Sequence, residues 1–187
     1  MYNLFGIPHN FYGILLKEEQ MGYLEIYNKW LSDKRLNDEA KAELESIKGN
    51  NEDIEYRFGA ELEFGTAGMR GIIGYGTNMM NVYTVKRATQ GLAQFILKQG
   101  GEAIERGVVI SYDTRRKSRE FAEAAQQVLA ANNIKAYLFD DVHPVPMLSF
   151  AVRCLNTYAG IMVTASHNPK QYNGYKVYGS DGAQMSP

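Results

Sequence analysis

The chain has 187 residues, with 20 basic and 21 acidic side chains, 45% apolar residues and one cysteine. That length allows one domain with a sizeable core plus an appendage, and a net charge of -1 excludes the long-range field of a nucleic-acid or anionic-membrane binder, so any anion site has to be local. No apolar run approaches the roughly 20 residues that span a bilayer, and the lone Cys154 can form no internal disulfide or thiol pair for a metal, which points to a reducing cytoplasm and to a buried packing role for that side chain.

The first twenty residues, MYNLFGIPHNFYGILLKEEQ, are aromatic and apolar without a period. They lack the basic leader and small-residue cleavage site of a signal peptide. Two readings stand side by side. Lys17-Glu18-Glu19 can be encoded by a purine run of ribosome-binding type just ahead of Met21, making Met21 the native start. Alternatively, these residues form an extra strand or helix packed on the domain.

From Met21 the pattern is helical. Leu24, Tyr27, Trp30 and Leu31 recur at helix spacing, Asn37 is suited to cap a second helix running through Leu44 and Ile47 to a stop at Gly49, and EDIEYRF predicts a third. Trp30 reads as a packing anchor. Beyond Glu61 strands and helices alternate. ELEFG is strand-like and is followed by the glycine-rich GTAGMRGIIGYGTN. The spacing predicts a helix over Thr84 to Gln99 with Val85, Ala88, Leu92, Phe95 and Ile96 inward, stopping at Gly100-Gly101. GVVISYD is a short strand, and Ser118 is placed to cap a helix burying Phe121, Ala125, Val128 and Leu129. IKAYLF is the next strand, Pro146 opens a helix through Met147, Phe150 and Cys154, AGIMVTA is a strand, and GYKVYG is another that ends at the turn Ser180-Asp181-Gly182. Strands separated by helices predict an α/β fold with a mixed, largely parallel sheet covered on both faces. Ser186-Pro187 reads as the N-cap and first residue of a helix about to begin, so the chain is expected to be a truncated piece of a longer protein.

In such a sheet, ligands gather at the carboxyl ends of strands, and three segments there carry the chemistry. VTASHNPKQYNGYK, residues 163–176, follows AGIMVTA with a hydroxyl, an imidazole, an amide and a lysine in one loop. A hydrolase would need Ser166 in a Gly-x-Ser-x-Gly turn; neither glycine is present, and neighbouring side chains of extended chain point apart, so His167 is poorly placed to activate Ser166. A serine that is itself phosphorylated needs amides and cations around a charge near minus two, and His167, Asn168 and Lys176 suit that. Phe64 to Gly71, FGTAGMRG, adds small residues that let backbone approach an anion, and Arg70 to grip phosphate oxygens. Its glycines match neither a dinucleotide fingerprint nor a P-loop, and a plain turn would also explain them. In SYDTRRKS, Arg115, Arg116, Lys117 and Arg119 could be a solvated basic face; Asp113 and Arg115, nearest the strand end, are the ones suited to hold the site in shape. No aromatics interleave this run, which disfavours nucleic acid.

FGTAGMRG, YDTRRKS and above all TASHNP followed by NGYK resemble the alpha-D-phosphohexomutases, in particular domain I of long bacterial phosphoglucomutases, from about Met21 to the last residue. Residues 1–20 are thus expected to be an N-terminal extension, upstream of the native start if that is Met21, ahead of a helical preamble over 21–58, and the resemblance implies a phosphohexomutase domain I over 59–187, truncated at its C-terminus. It implies that Ser166 is the phosphoserine donor to a hexose phosphate, interconverting glucose 1-phosphate and glucose 6-phosphate through glucose 1,6-bisphosphate. His167 and Lys176 match positions that assist proton transfer or contact the transferring phosphate, and Arg70 matches the arginine beside the phosphoserine. Thr66, Thr164 and Asn168 join the phosphate-binding set, and Asp113, Arg115, Asn173 and Gly174 the supporting set. Mg2+ would be held through an oxygen on Ser166, where several negative charges meet, with its other ligands, the sugar-reading loop and the distal-phosphate loop on later domains of the same chain. Alternatives are a phosphomannomutase or phosphopentomutase, since substrate choice belongs to those later loops, and a non-catalytic phosphosugar-binding module or sensor.

Overall fold

A computed structural model describes residues 22–66 and 68–185. Both readings of residues 1–20 and the helix expected at Ser186-Pro187 lie outside the described residues. The chain divides into two compact units.

The first unit comprises residues 22–62 and 74–79 of the described chain. Its helices are α1 (Tyr23–Ser32), α2 (Asp38–Ser46) and α3 (Asn51–Phe58). The predicted Asn37 cap is present, its side chain accepting from the Ala40 amide at 2.8 Å and so satisfying one of the orphan donors of the first turn. Phe58 is the hub of the small core, with Tyr27 and Trp30 set edge-on at 5.7 and 5.6 Å between ring centres; such pairs add roughly 0.5–1.5 kcal/mol each beyond burial. The inward face of α1 is Ile26, Tyr27 and Trp30, while Leu24 is exposed, which corrects the expected face by one position. Residues 74–79 dock on the helices: Glu43 accepts from the Tyr75 amide at 3.0 Å, and Thr77 and Asn78 donate to the carbonyls of Ala60 and Tyr56. Arg57 pairs with Glu43 and Asp53.

The second unit, residues 63–73 and 80–185 of the described chain, is α/β. Its strands are β1 (Phe64–Gly65), β2 (Gly68–Ile72), β3 (Val108–Tyr112), β4 (Ala136–Leu138), β5 (Ala159–Val163) and β6 (Tyr172–Tyr178), in the sheet order β1-β2-β6-β5-β3-β4. The sheet is mixed. β4, β3 and β5 are parallel, whereas β5–β6, β6–β2 and β2–β1 are antiparallel. The parallel share is smaller than the strand-helix alternation predicts because β5 reaches β6 through residues 164–171, too short for a crossover. FGTAGMRG belongs to the β1–β2 hairpin, so Arg70 sits within a strand.

Residue parity separates the faces. Tyr175 accepts from Thr89 of α4 (Val82–Gln99) at 3.0 Å, and Asn173, of the same parity, donates to Ser118 at the start of α6 (Ser118–Ala131); α4 and α6 pack together on that face. The short α5 (Gly101–Arg106) leads into β3. On the opposite face α7 (Val145–Cys154) packs Leu148, Ala151 and Val152 on Val109, Met162 and Tyr178. Helices cover both faces as expected, but individual side chains depart from the predicted pattern. Phe95 is exposed. On α7 the predicted line Met147, Phe150 and Cys154 faces outward, with Phe150 57% exposed and Cys154 a free exposed thiol; VPMLSFAVRC is apolar on two sides, and the sheet selects the side with the smaller Ala151 and Val152. At α6 the N-cap position is Lys117, at φ 64°, and Ser118 makes no cap; its hydroxyl is drawn instead to Asp113. α4 begins earlier than predicted, because Asn81 and Thr84 form a capping box.

Candidate active site

The strand order reverses between β3 and β5, since β3 continues through α6 to β4 on one face and β4 returns through α7 to β5 on the other. That crevice at the carboxyl ends is where wound sheets bind ligands. The segments after β3 and β5 meet there, and with them Asp113, Arg115, Thr164, Ser166 and Asn168.

Ser166 is exposed and left-handed, φ 54°. A residue with a Cβ stays in that region at a cost of roughly 1–2 kcal/mol and only when its surroundings over-determine it. The surroundings do so from both sides. The Ser166 amide donates to Thr164 Oγ1 at 3.0 Å, and that hydroxyl donates to Asp113 Oδ2 at 2.5 Å. Asp113 Oδ1 accepts from the Arg115 amide at 3.0 Å and from Ser118 Oγ at 2.8 Å. The Arg115 guanidinium, paired with Asp113 at 3.5 Å, donates to the carbonyls of Ser166, Asn168, Pro169 and Tyr172 at 2.7 to 3.1 Å. Asn173 ties the same assembly to β6, donating to the Arg116 carbonyl and Ser118 Oγ, each at 2.9 Å. The left-handed turn also overturns one expectation: Ser166 Oγ and His167 Nδ1 lie 3.5 Å apart, because αL backbone brings neighbours together that extended chain would separate.

The cations sit on the sheet face of opposite parity to Tyr175. Arg70 is register-paired with Gly174, and Lys176 is two residues further along β6. Glycines make this possible. A Cβ on Gly174 would meet the Arg70 side chain at 3.1 Å and the carbonyls of Met69 and Thr164 at 2.7 Å, and one on Gly68, at φ 89°, would meet the Tyr175 carbonyl at 2.6 Å and the Lys176 stem at 3.0 Å. Arg70 Nη1 donates to Asn168 Oδ1 at 3.2 Å, while its Nε is buried with no partner among the described residues. A buried unpaired donor is costly, about 1–3 kcal/mol, and so marks a place where a ligand acceptor would be welcome. Lys176 is only 8% exposed. Burial, with the Arg70 charge adding to it, holds its ammonium pKa below the ordinary lysine value. Beneath them Tyr175 is fully buried with its phenol pKa pushed well up by desolvation; its ring meets Phe64 edge-on.

Thr66 stands apart. It is exposed, its carbonyl accepts from Gln184, and no hydrogen bond among the described residues links its side chain to the Ser166 loop. Ser118, Gly68 and Tyr175 belong to the architecture of the site and were not singled out from sequence. Ser118 carried a misleading signal, because a serine before an apolar helix face reads as a cap. Among the described residues no cluster of three or more His, Cys, Asp or Glu could hold a metal. Asp113, the carboxylate nearest Ser166 in this network, has both oxygens engaged by protein donors. These residues alone do not fit a divalent-cation site.

Residues 61–187 match the family described as phosphoglucomutase/phosphomannomutase, alpha/beta/alpha domain I. A phosphoglucomutase from Staphylococcus aureus (strain USA300) is 53% identical over 136 residues, covering 72% of this chain and 24% of that protein. A phosphopentomutase from Pongo abelii is 44% identical over 153 residues, covering 76% of this chain and 25% of that protein. The chain thus spans about a quarter of the length of these curated relatives. Among solved structures, a provisionally named phosphomannomutase from Thermus thermophilus superposes with a TM-score of 0.60 at 38% identity, over 67% of this chain and 27% of that one.

Proposed function

The chain belongs to the phosphoglucomutase/phosphomannomutase family, carrying its alpha/beta/alpha domain I, and on that footing we propose that Ser166 is a phosphoryl carrier serving a hexose phosphate mutase. The observation that carries this reading is the hydroxyl itself: exposed at the strand-order reversal, held left-handed, 3.5 Å from an imidazole, on a loop bonded through Asn168 to an arginine whose buried Nε has no partner among the described residues.

The chemistry balances as two mirrored transfers. From the phosphorylated serine, the bond between phosphorus and Ser166 Oγ breaks as a bond to a sugar hydroxyl oxygen forms; the proton of that hydroxyl leaves and the serine oxygen regains one. The bisphosphate so made, glucose 1,6-bisphosphate for a glucose phosphate substrate, returns the phosphoryl from its other carbon to Ser166. Arg70, linked to the loop through Asn168, offers donors for the transferring oxygens. Lys176, whose burial makes its ammonium give up a proton more readily than an ordinary lysine, is suited to proton transfer, and His167 stands within reach of Ser166 Oγ. A magnesium ion would neutralise charge on the transferring group; this chain would offer it one oxygen at Ser166, and other ligands, like the groups that read the sugar and the distal phosphate, would come from further domains. A cation-lined face beside one exposed hydroxyl serves one phosphoryl group; turnover between two sugar positions requires those further groups.

The sugar is taken as glucose, in line with the phosphoglucomutase relative. The phosphopentomutase relative makes a pentose phosphate the second reading. Coupled assays with glucose 1-phosphate, mannose 1-phosphate and ribose 1-phosphate, each primed with its bisphosphate, decide between them: glucose 1-phosphate is expected to give the highest kcat/KM. The assays use the full-length protein that carries this domain, since the chain alone is expected to be inactive; no mutase activity of that protein on any of the three would overturn the proposal.

A further inference from the structure

We propose that Arg115 is the positioning residue of the Ser166 loop: anchored by Asp113, its guanidinium commits its Nη donors to four carbonyls and thereby fixes the backbone conformation that presents Ser166 Oγ for transfer. The proposal rests on the reading of Ser166 as the phosphoryl carrier.

An arginine has five N–H donors in a rigid fork. Here Nη2 donates to the carbonyls of Ser166 and Asn168 at 2.8 and 2.7 Å, Nη1 to those of Pro169 and Tyr172 at 3.0 and 3.1 Å, and Nε faces Asp113 Oδ2 at 3.5 Å. Neither Nη is left for a phosphate, and Nε points at the anchoring carboxylate. The side chain is only 14% exposed, unlike a solvated basic run. The other end of the Ser166 unit is held from the same carboxylate, through Thr164. Both the N–H and the C=O of Ser166 are therefore referred to Asp113 and Arg115, and a strained left-handed residue persists only when it is over-determined in this way. A lysine presents its donors at one point and cannot span four carbonyls distributed over residues 166–172. Releasing the carbonyls would let Ser166 relax, moving Oγ away from His167, and misplacement of about 1 Å is enough to cost about 10²-fold in rate.

The test compares wild type with Arg115→Lys and Arg115→Met by three measurements: amide hydrogen exchange, thermal unfolding, and the rate and half-saturation of phosphoryl uptake from labelled glucose 1,6-bisphosphate. The expected result is faster exchange confined to residues 164–172, strands β3 and β5 protected as in wild type, and uptake slowed about 10²-fold at saturation with half-saturation little changed in both variants. Wild-type uptake by Arg115→Lys would overturn the proposal, because charge alone would then suffice. A raised half-saturation with an unchanged maximal rate would also overturn it, marking Arg115 as a phosphate ligand. If Arg115→Met does not fold, Arg115→Lys decides by the same criteria. If wild type itself takes up no phosphoryl group, the carrier reading fails and exchange alone judges the positioning: local loosening of the loop supports it, unchanged exchange overturns it.

Discussion

Arg70 and Arg115 both reach the Ser166 loop, but from opposite kinds of surroundings. Arg115, just beyond β3, has its Nη donors answered by four carbonyls and its charge paired with Asp113. Arg70, in the middle of β2, donates to Asn168 and keeps a buried Nε without a partner among the described residues. The difference teaches how to sort cations in a site: a guanidinium whose Nη donors all meet carbonyls is architecture, and one with a buried unanswered donor beside a buried lysine is the one proposed to meet the phosphoryl group.

The sharpest way to break that division is at the hydroxyl between the two regions. Ser166→Ala should reduce mutase rate on the order of 10⁴-fold or more, as loss of a covalent carrier does, with melting temperature little changed because the side chain is exposed; a near-normal rate would place the carrier elsewhere. Arg70→Met comes next, with a loss of about 10²–10³-fold in kcat/KM for removing one charged donor. Arg70 differs from Arg115 in that relieving its unpaired Nε should leave loop exchange nearly as in wild type. Loss of loop protection in Arg70→Met would erase the distinction.

Lys176→Met should lower kcat by about 10²-fold if the amine moves a proton, whereas an effect on KM alone would make it a uniform binding group. Stability should move the other way. The folded state disfavours the ammonium, so it binds fewer protons than the unfolded chain between the folded pKa and the ordinary lysine value. Wild-type stability therefore rises with pH through that window, and the penalty stays in full below it. Lys176→Met should abolish that rise and be more stable at neutral pH by less than about 1 kcal/mol, as read from urea unfolding at several pH values. The smallest effect is expected far from both regions: Cys154→Ser on the outer side of α7 should change stability by less than about 0.5 kcal/mol, and the wild-type thiol should react rapidly with a thiol reagent in the native state.

The residues of the candidate site were legible where letters carry them. Ser166, His167, Asn168 and Lys176 stand in one quoted segment, and strand alternation located the sheet edge. What was not legible depends on backbone geometry or on main-chain acceptors, which have no letter. Arg115 was one of four basic residues in a run until the carbonyls it serves came into view. The nearness of His167 to Ser166 follows from a left-handed φ that no serine announces, and Ser118 looked like a helix cap because the competing Asp113 is five residues away. The outward turn of Met147, Phe150 and Cys154 was hidden for another reason: α7 is apolar on two sides, so periodicity could not say which side the sheet would take.

One measurement bears on the central claim most directly. The protein is mixed with glucose 1,6-bisphosphate labelled in its phosphoryl groups, digested, and mapped by mass spectrometry. The account predicts a single labelled peptide with the phosphoryl group on Ser166, discharged again when glucose 1-phosphate is added. Label on another residue, or none on Ser166 in protein whose exchange pattern is native, would contradict it.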